Sequence, residues 1–278
     1  MKRILITGAN SYIGESVKEY LKQSPEGYAV DLINTVGLNP APEIFFSYDS
    51  VFNVAGIAHI KETKENRNLY YEVNRDLAVR IAKAAKEGGV KQFILLSTMS
   101  VYGLVTGHIT KNTPVNPKTS YGDSKAQADE EIGKLENDNF KFACLRPPMV
   151  YGKGCKGNYQ RLKKFTMQCP FFPDYRNRRS MIYIGNLCEF VREIIRCEKS
   201  GLFFPQNTDY VNTAEMVKII AEVHHKNIKF TKLFNKPIEM MNSGMIKKVF
   251  GDLTYERIDV VDKYGFKESI ELTEIHEM

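Results

Sequence analysis

From Arg3 to Thr7 the apolar positions run almost without interruption, the pattern of a parallel strand buried on both faces; from Ile13 to Gln23 they return at helical spacing. The chain therefore opens as strand, turn and helix. Short apolar runs follow at Ala29–Asn34 and at Val51–Val54, the second ending in Ala55-Gly56, and the Pro-containing stretch between them is too short for a full strand-helix unit. Tyr70–Glu87 predicts a long helix with Val73, Leu77, Ile81 and Ala84 on one face, closed by Gly88-Gly89. Phe93–Leu96 is the next strand. Ser120 is placed to cap a helix over Tyr121–Asn137, and Phe142–Leu145 forms a further strand before Arg146-Pro147-Pro148 breaks the pattern.

This alternation predicts an α/β fold, a Rossmann-type doubly wound parallel sheet that collects ligands at the carboxyl ends of its strands. A dinucleotide-binding domain is expected over residues 1–150, with 181–205 returning to it. A smaller substrate domain is expected from 151–180 and 206–278, with a helix near Thr213–His224.

Composition narrows the class. Hydrophobic residues at 43% and charged residues at 26% are ordinary globular usage, and no run approaches the ~18 apolar residues of a membrane span. The apolar run at the N-terminus is too short for a secretory signal, so the expectation is a cytoplasmic protein without a membrane partner. Five cysteines (Cys144, Cys155, Cys169, Cys188, Cys197) at irregular spacing read as reduced thiols. His59, His108, His224, His225 and His276 show no metal-ligand spacing, and no metal is expected.

The formal charge of +6 is uneven. Between Tyr151 and Ser180 stand Lys153, Lys156, Arg161, Lys163, Lys164, Arg176, Arg178 and Arg179 against Asp174 alone, a local +7 that leaves the rest at −1. Such an excess points to an anionic partner, either a small phosphate-bearing ligand or a nucleic acid, or else to a solvated basic face.

Three groups of residues carry candidate chemistry. The turn Thr7-Gly8-Ala9-Asn10-Ser11-Tyr12-Ile13-Gly14 joins a strand to a helix and has glycine at its first and last critical positions, with Ser11 in the middle one; such a turn cradles a pyrophosphate. At the end of the second strand stands Asn34, with Asp31 earlier in the same run, where a dinucleotide site usually places an acid for the ribose. The third group is Tyr121-Gly-Asp-Ser-Lys125, a phenol and an ammonium on one helix face, following a strand that ends at Ser97-Thr98. Tyr159 and Lys163 repeat that spacing within the basic segment, so position in the fold must discriminate.

A phenol with an ordinary pKa near 10 needs help to act as a base at neutral pH. A cation ~5 Å away contributes roughly 3 kcal/mol at an effective dielectric of ~20, about two pKa units. Lys125 is expected to do most of this and an oxidised nicotinamide the rest, with Thr98 hydrogen-bonding the reacting oxygen.

With Asn53-Val-Ala-Gly56, Val73-Asn74, Ser97-Thr-Met-Ser-Val-Tyr-Gly103, Arg146-x-x-x-Val150-Tyr-Gly152 and Arg179-Ser-Met-Ile-Tyr-Ile-Gly-Asn-Leu187 in the same order, the chain resembles the NAD-dependent epimerase/dehydratase family, extended short-chain dehydrogenases/reductases. The resemblance covers nearly the first two hundred residues. It implies a tightly held NAD(H), NADP not being excluded, with Thr98, Tyr121 and Lys125 catalytic. The cofactor would meet Gly8, Asn10, Ser11, Tyr12, Ile13, Gly14, Asn34, Val54, Ala55, Gly56, Asn74, Ser97 and Pro147 as well as Tyr121 and Lys125. A UDP- or other nucleotide-linked sugar would meet Ser100, Met149, Asn158, Arg178 and Arg179.

The chain departs from the family pattern at Met99 and Ser100, where its 4,6-dehydratases carry Asp and Glu, so elimination of water is not expected. Met149 replaces an asparagine near the sugar nucleotide, and the third strand is nearly deleted. The implied activity is 4-epimerisation of a nucleotide sugar of a surface-polysaccharide pathway. The alternatives are an NADPH-dependent reductase of a 4-keto nucleotide sugar and a non-catalytic Rossmann protein binding nucleotide or RNA. Related enzymes often pair as homodimers; no nucleic-acid partner is expected for an enzyme of this kind.

Overall fold

The computed structural model describes residues 1–58, 60, 62–241 and 243–275; His59 and His276 lie outside the described residues. The chain forms two compact units. The first comprises Met1–Gly103, Pro114–Pro147 and Cys188–Pro205, the second Leu104–Thr113, Pro148–Leu187 and Gln206–Met278.

The first unit is built on a six-stranded, wholly parallel sheet. β1 (Lys2–Thr7) lies between β2 (Tyr28–Ile33), an edge strand, and β3 (Ser50–Asn53). β4 (Gln92–Leu96), Lys141–Leu145 and Gly201–Phe203 continue outward from β3. The strand order reverses at β1, so the turn after β1 stands at the switch point where such sheets bind ligands. Val51, Phe93, Leu95 and Ile81 are fully buried in the core between the sheet and its helices. Each such side chain removed from water contributes ~1.5–3 kcal/mol.

The expected parallel α/β sheet is therefore present, and the Pro-containing stretch behaves as its length required. It forms a single tight turn, Pro42–Phe45, whose Phe45 is buried, and passes straight into β3. Among the described residues no strand lies outside β2.

Two helix boundaries differ from expectation for identifiable reasons. The helical stretch from Arg67 to Glu87 contains a widened turn over Glu72–Leu77, which rotates the inward face by about one residue. Val73 is only half-buried and Asn74 is fully buried in its place. Ser120 does not cap the next helix (Ser120–Gly133). Thr119 does, its Oγ1 accepting from the Gly122 N–H at 3.1 Å, while Ser120 Oγ donates to Glu62 at 2.7 Å. That helix stops at Gly133, short of Asn137, where Asn137 and Phe140 close a turn on each other.

In the second unit, short parallel pairs (Met149–Tyr151 with Met181–Tyr183, Phe171–Pro173 with Lys229–Thr231, Gly107–Ile109 with Leu253–Tyr255) accompany the helices Asn158–Gln168, Thr213–Val223 and Phe266–Glu274. The second Tyr-x-x-x-Lys pair proves structural. Tyr159 Oη reaches Oε1 of the buried Glu274 at 2.6 Å, and Lys163 Nζ and His224 Nε2 both meet its Oε2, each at 2.6 Å. Burial alone would raise the Glu274 pKa, but His224, Lys163 and Tyr159 outweigh it and hold the carboxyl below its usual range. Among the described residues no helix is long and apolar enough to cross a membrane.

Beneath the carboxyl edge of the sheet, Arg146 Nε donates to Asp129 at 2.9 Å and its Nη1 to the Tyr102 hydroxyl at 2.8 Å; Ser97 Oγ also donates to Asp129, at 2.8 Å. The ion pair is almost solvent-free, with side-chain exposures of 10% and 5%. Burial pushes the Asp129 carboxyl up on balance, against the pull of Arg146 and the hydrogen bond from Ser97, so the charge depends on these partners. Asp129→Ala is expected to lower unfolding free energy by ~3–5 kcal/mol in urea titration, and adding Arg146→Met to recover a large part of the loss.

Candidate active site

The Gly8 turn is tied to the neighbouring strand, the N–H groups of Gly8 and Ala9 both donating to Ile33 O at 3.0 and 2.9 Å. Gly8 (φ +93°) cannot be replaced by a larger residue, because a Cβ there would stand 3.0 Å from the Ala55 backbone. Asn10 takes a left-handed conformation (φ +66°) that asparagine tolerates better than most residues. Ser11 is the N-cap of α1 (Tyr12–Lys22), its Oγ accepting from the Gly14 N–H at 3.2 Å. A helix start seated so close to a strand end suits a pyrophosphate, since its first N–H groups have no helical acceptors.

After β3, the Val54-Ala55-Gly56 segment faces this turn. Its geometry is set by the buried Asn74, whose Oδ1 accepts from the Ile57 N–H at 2.8 Å and whose Nδ2 donates to Ile57 O at 3.1 Å and to Ser124 Oγ at 3.2 Å. At Gly56 a Cβ would fall 2.9 Å from Asn74 Oδ1 and 3.1 Å from Lys125 Nζ, so this glycine admits the lysine to the loop.

Ser97, Thr98 and Pro147 follow two adjacent strands. Ser97 N and Met99 N donate to Leu145 O and Pro147 O at 2.7 and 3.0 Å. Thr98 caps a tight turn (Met99–Tyr102), its Oγ1 accepting from the Ser100 N–H at 3.2 Å and donating to Ser100 Oγ at 3.3 Å. The helix bearing Tyr121 packs on that turn at Gly122, where a Cβ would lie 2.6 Å from Ser100 O. As a result the Tyr121 phenol stands near Thr98, which favours its charged form, and the Tyr70 ring stands edge-on to it with centroids 6.5 Å apart. Lys125 is buried and donates to Leu96 O at 2.9 Å, at the end of β4.

The three residues expected to be catalytic thus meet at the ends of β3 and β4, but their electrostatics differ from the sequence argument. In the protein by itself burial pushes the Tyr121 phenol up, against the lowering hydrogen bond from Thr98, and Lys125 is not among the groups that shift it. Burial instead acts on Lys125, whose ammonium is pulled down to about 8 although Asp129 opposes the change.

The other expected residues separate. Asn34 lies at the end of β2 beside the Gly8 turn and accepts from the Val36 N–H at 3.0 Å. Asp31 is engaged elsewhere, by the Tyr48 hydroxyl at 2.9 Å and Arg3 at 3.6 Å. Ser97 is buried with its hydroxyl directed to Asp129. In the second unit, Met149 pairs with Met181, and Arg178 and Arg179 lead into that same strand. Arg179 Nη1 donates to Gly251 O at 2.7 Å, closing the helix Gly244–Phe250; Arg178 faces Asp252. Asn158 stands on another element, as the first residue of its helix. Sequence reasoning missed Asp129, Ser124 and Tyr70 as supports of the site. The one available signal was spacing, since Asp129 follows Lys125 by one helical turn.

A parallel sheet with its switch point at a glycine turn, and a phenol, a hydroxyl and an ammonium at its carboxyl edge, defines a dinucleotide-fold protein of short-chain dehydrogenase/reductase type. Residues 4–202 match the NAD dependent epimerase/dehydratase family, and the chain belongs to it. It is similar to a UDP-glucose 4-epimerase of Vibrio cholerae, 28% identical with 94% of this chain and 85% of the relative covered. It is also similar to an N-acetyl-alpha-D-glucosaminyl-diphospho-ditrans,octacis-undecaprenol 4-epimerase of Escherichia coli O157:H7, 25% identical over 98% of this chain and 88% of the relative. Among solved structures, a UDP-glucuronic acid 4-epimerase of Bacillus cereus in complex with NAD superimposes with a TM-score of 0.76 at 16% identity, covering 97% of this chain and 96% of that one. A dTDP-4-dehydrorhamnose reductase of Bacillus anthracis in complex with NADP gives 0.75 at 18% identity, with 98% of each chain covered.

The depressed Lys125 pKa has a stability consequence of definite sign. The folded chain releases this proton near pH 8 and the unfolded chain near 10.5, so the contribution is present above 10.5 and lost as pH falls through 8. Relative to Lys125→Met, the native protein is expected to gain melting temperature from pH 8 to 10 and to show a constant difference below about pH 7.5, by circular dichroism.

Proposed function

We propose that the protein is a nucleotide-sugar 4-epimerase that oxidises C4 transiently and returns hydride to the opposite face of the sugar. The observation that supports this reading is the gathering of Tyr121, Thr98 and Lys125 at the strand ends, with Lys125 held against Gly56 and donating to Leu96 O. The Gly8 turn, the start of α1, Ala55-Gly56 and Asn34 are of the size and chemistry to hold NAD. That cofactor, when bound, stores the hydride and, oxidised, brings positive charge to the site.

The chain's own residues handle the proton. Tyr121, pushed up by burial, keeps its proton at neutral pH and is ready to donate it to a C4 keto oxygen. Taking the proton from a C4 hydroxyl requires added positive charge beside the phenol, which the oxidised cofactor would bring when bound, since Lys125 does not shift Tyr121 in the protein by itself. Thr98 accepts from or donates to the same oxygen and fixes its position. Met99 and Ser100 offer no carboxyl beside it, which disfavours dehydration. Arg178, exposed and only loosely engaged by Asp252 at 3.8 Å, would supply positive charge for the diphosphate of the sugar nucleotide, whereas Arg179 is committed to Gly251 O.

A second reading, reduction of a 4-keto nucleotide sugar by NADPH, is favoured by one observation. The end of β2 offers the neutral Asn34, while Asp31 is held by Tyr48 and Arg3, so no carboxylate there would repel a 2′-phosphate.

Purified protein is expected to release NAD(H) on denaturation, identified by mass spectrometry, and to interconvert UDP-glucose or UDP-N-acetylglucosamine with the 4-epimer. Tyr121→Phe should lower turnover by ~10²–10⁴-fold while the nucleotide stays bound. Turnover undiminished in that variant contradicts the assignment, and a protein that is isolated empty and consumes added NADPH selects the reductase.

A further inference from the structure

The second unit exposes a surface used by neither the catalytic set nor the core. After the Lys229–Thr231 strand the chain makes two short helices, Lys232–Phe234 and Asn235–Met240, too short to bury an apolar face. Leu233 and Met240 leave 78% and 84% of their surface in solvent, and Phe234 and Met241 are also exposed. The segment is nevertheless anchored. Thr231 Oγ1 caps it at the Leu233 N–H at 3.2 Å, and Asn235 Nδ2 donates to Asp174 O at 2.9 Å. Asp174 directly follows the strand Phe171–Pro173, paired with Lys229–Thr231, on which Phe171 is exposed. Single exposed hydrophobic side chains are ordinary, but a grouped set of this size marks an interaction surface.

Charge selects the occupant. From Lys226 to Lys248 the chain carries six lysines against Glu239 alone, and among the described residues no ion pair engages Lys229, Lys232 or Lys236. A second copy seated by a two-fold axis would set lysine against lysine. A single-stranded nucleic acid would favour aromatic platforms, whereas the most exposed tips here are those of Leu233 and Met240. An anionic bilayer accepts both features, since aliphatic tips enter the headgroup–acyl boundary while lysines reach lipid phosphates. We propose that this surface, formed by Phe171, Leu233, Phe234, Met240 and Met241 with their flanking lysines, adsorbs to anionic lipid membranes without crossing them. The sequence expectation of no membrane partner is set aside for this face.

Flotation of the full-length protein with phosphatidylcholine vesicles, with and without about one-third phosphatidylglycerol, tests this without reference to catalysis. The protein is expected to float with the anionic vesicles only, and less as salt rises. The double changes Leu233→Ser with Met240→Ser, and Lys232→Glu with Lys236→Glu, should each lower partitioning by about tenfold or more at unchanged melting temperature. Native protein that stays with the dense fraction at low salt, or equal flotation of native protein and both variants, overturns the proposal. So does self-association that Leu233→Ser with Met240→Ser abolishes in the absence of flotation.

Discussion

Close approach of backbones at the carboxyl edge of one sheet governs this protein. At Gly8 the turn after β1 comes so near Ala55 that a Cβ would lie 3.0 Å from two backbone atoms, and at Gly14 a Cβ would lie 2.5 Å from Ser11 Oγ. At Gly56 the third backbone yields its side-chain volume to Asn74 and Lys125. These are approaches to backbone or to hydrogen-bonded side chains, so relaxation would have to move whole segments. Helix start, strand end and buried ammonium are therefore fixed relative to one another before any ligand is considered.

Electrostatics follows from that packing. A lysine held against a glycine Cα and a carbonyl oxygen loses water, which pulls its pKa to about 8, while the buried phenol of Tyr121 moves up. Desolvation thus disfavours both charged forms, tyrosinate and ammonium, and sets the two groups farther apart on the pH scale. Asp129 and Arg146 act one layer below. Asp129 opposes the fall of Lys125, yet its charge is largely answered by Arg146 and Ser97, so that opposition stays limited.

Much of this was legible in the amino-acid order. Strand-helix alternation located β1 to β4 within a residue or two because uninterrupted apolar runs bounded by glycine have few other solutions. Tyr121 was preferred to Tyr159 because it follows the strand ending at Ser97-Thr98 and opens the next helix; the structure gives Tyr159 a buried Glu274 instead. What escaped was non-local. The widened turn that brings Asn74 inward breaks the 3.6-residue period used to read that helix, and Thr119 takes the cap from Ser120 because Glu62, 58 residues away, claims the serine. The raised phenol escaped because a pairwise Coulomb argument omits the solvent that both groups lose.

The truncated sheet edge has its own logic. Where a further strand-helix unit would extend the sheet, Pro42–Phe45 turns the chain back into β3 after only sixteen residues beyond β2. β2 is left as an edge strand, and edge strands favour charged side chains that discourage pairing with other chains. Asp31, exposed on β2 and joined to Arg3 and Tyr48, fits that role. The carboxylate of this strand is therefore committed to closing the edge, and the strand end beside the Gly8 turn is left to Asn34. Under the proposed function a neutral amide there would offer hydrogen bonds without charge, so the same truncation that shortened the sheet would also relax discrimination between ribose and ribose phosphate.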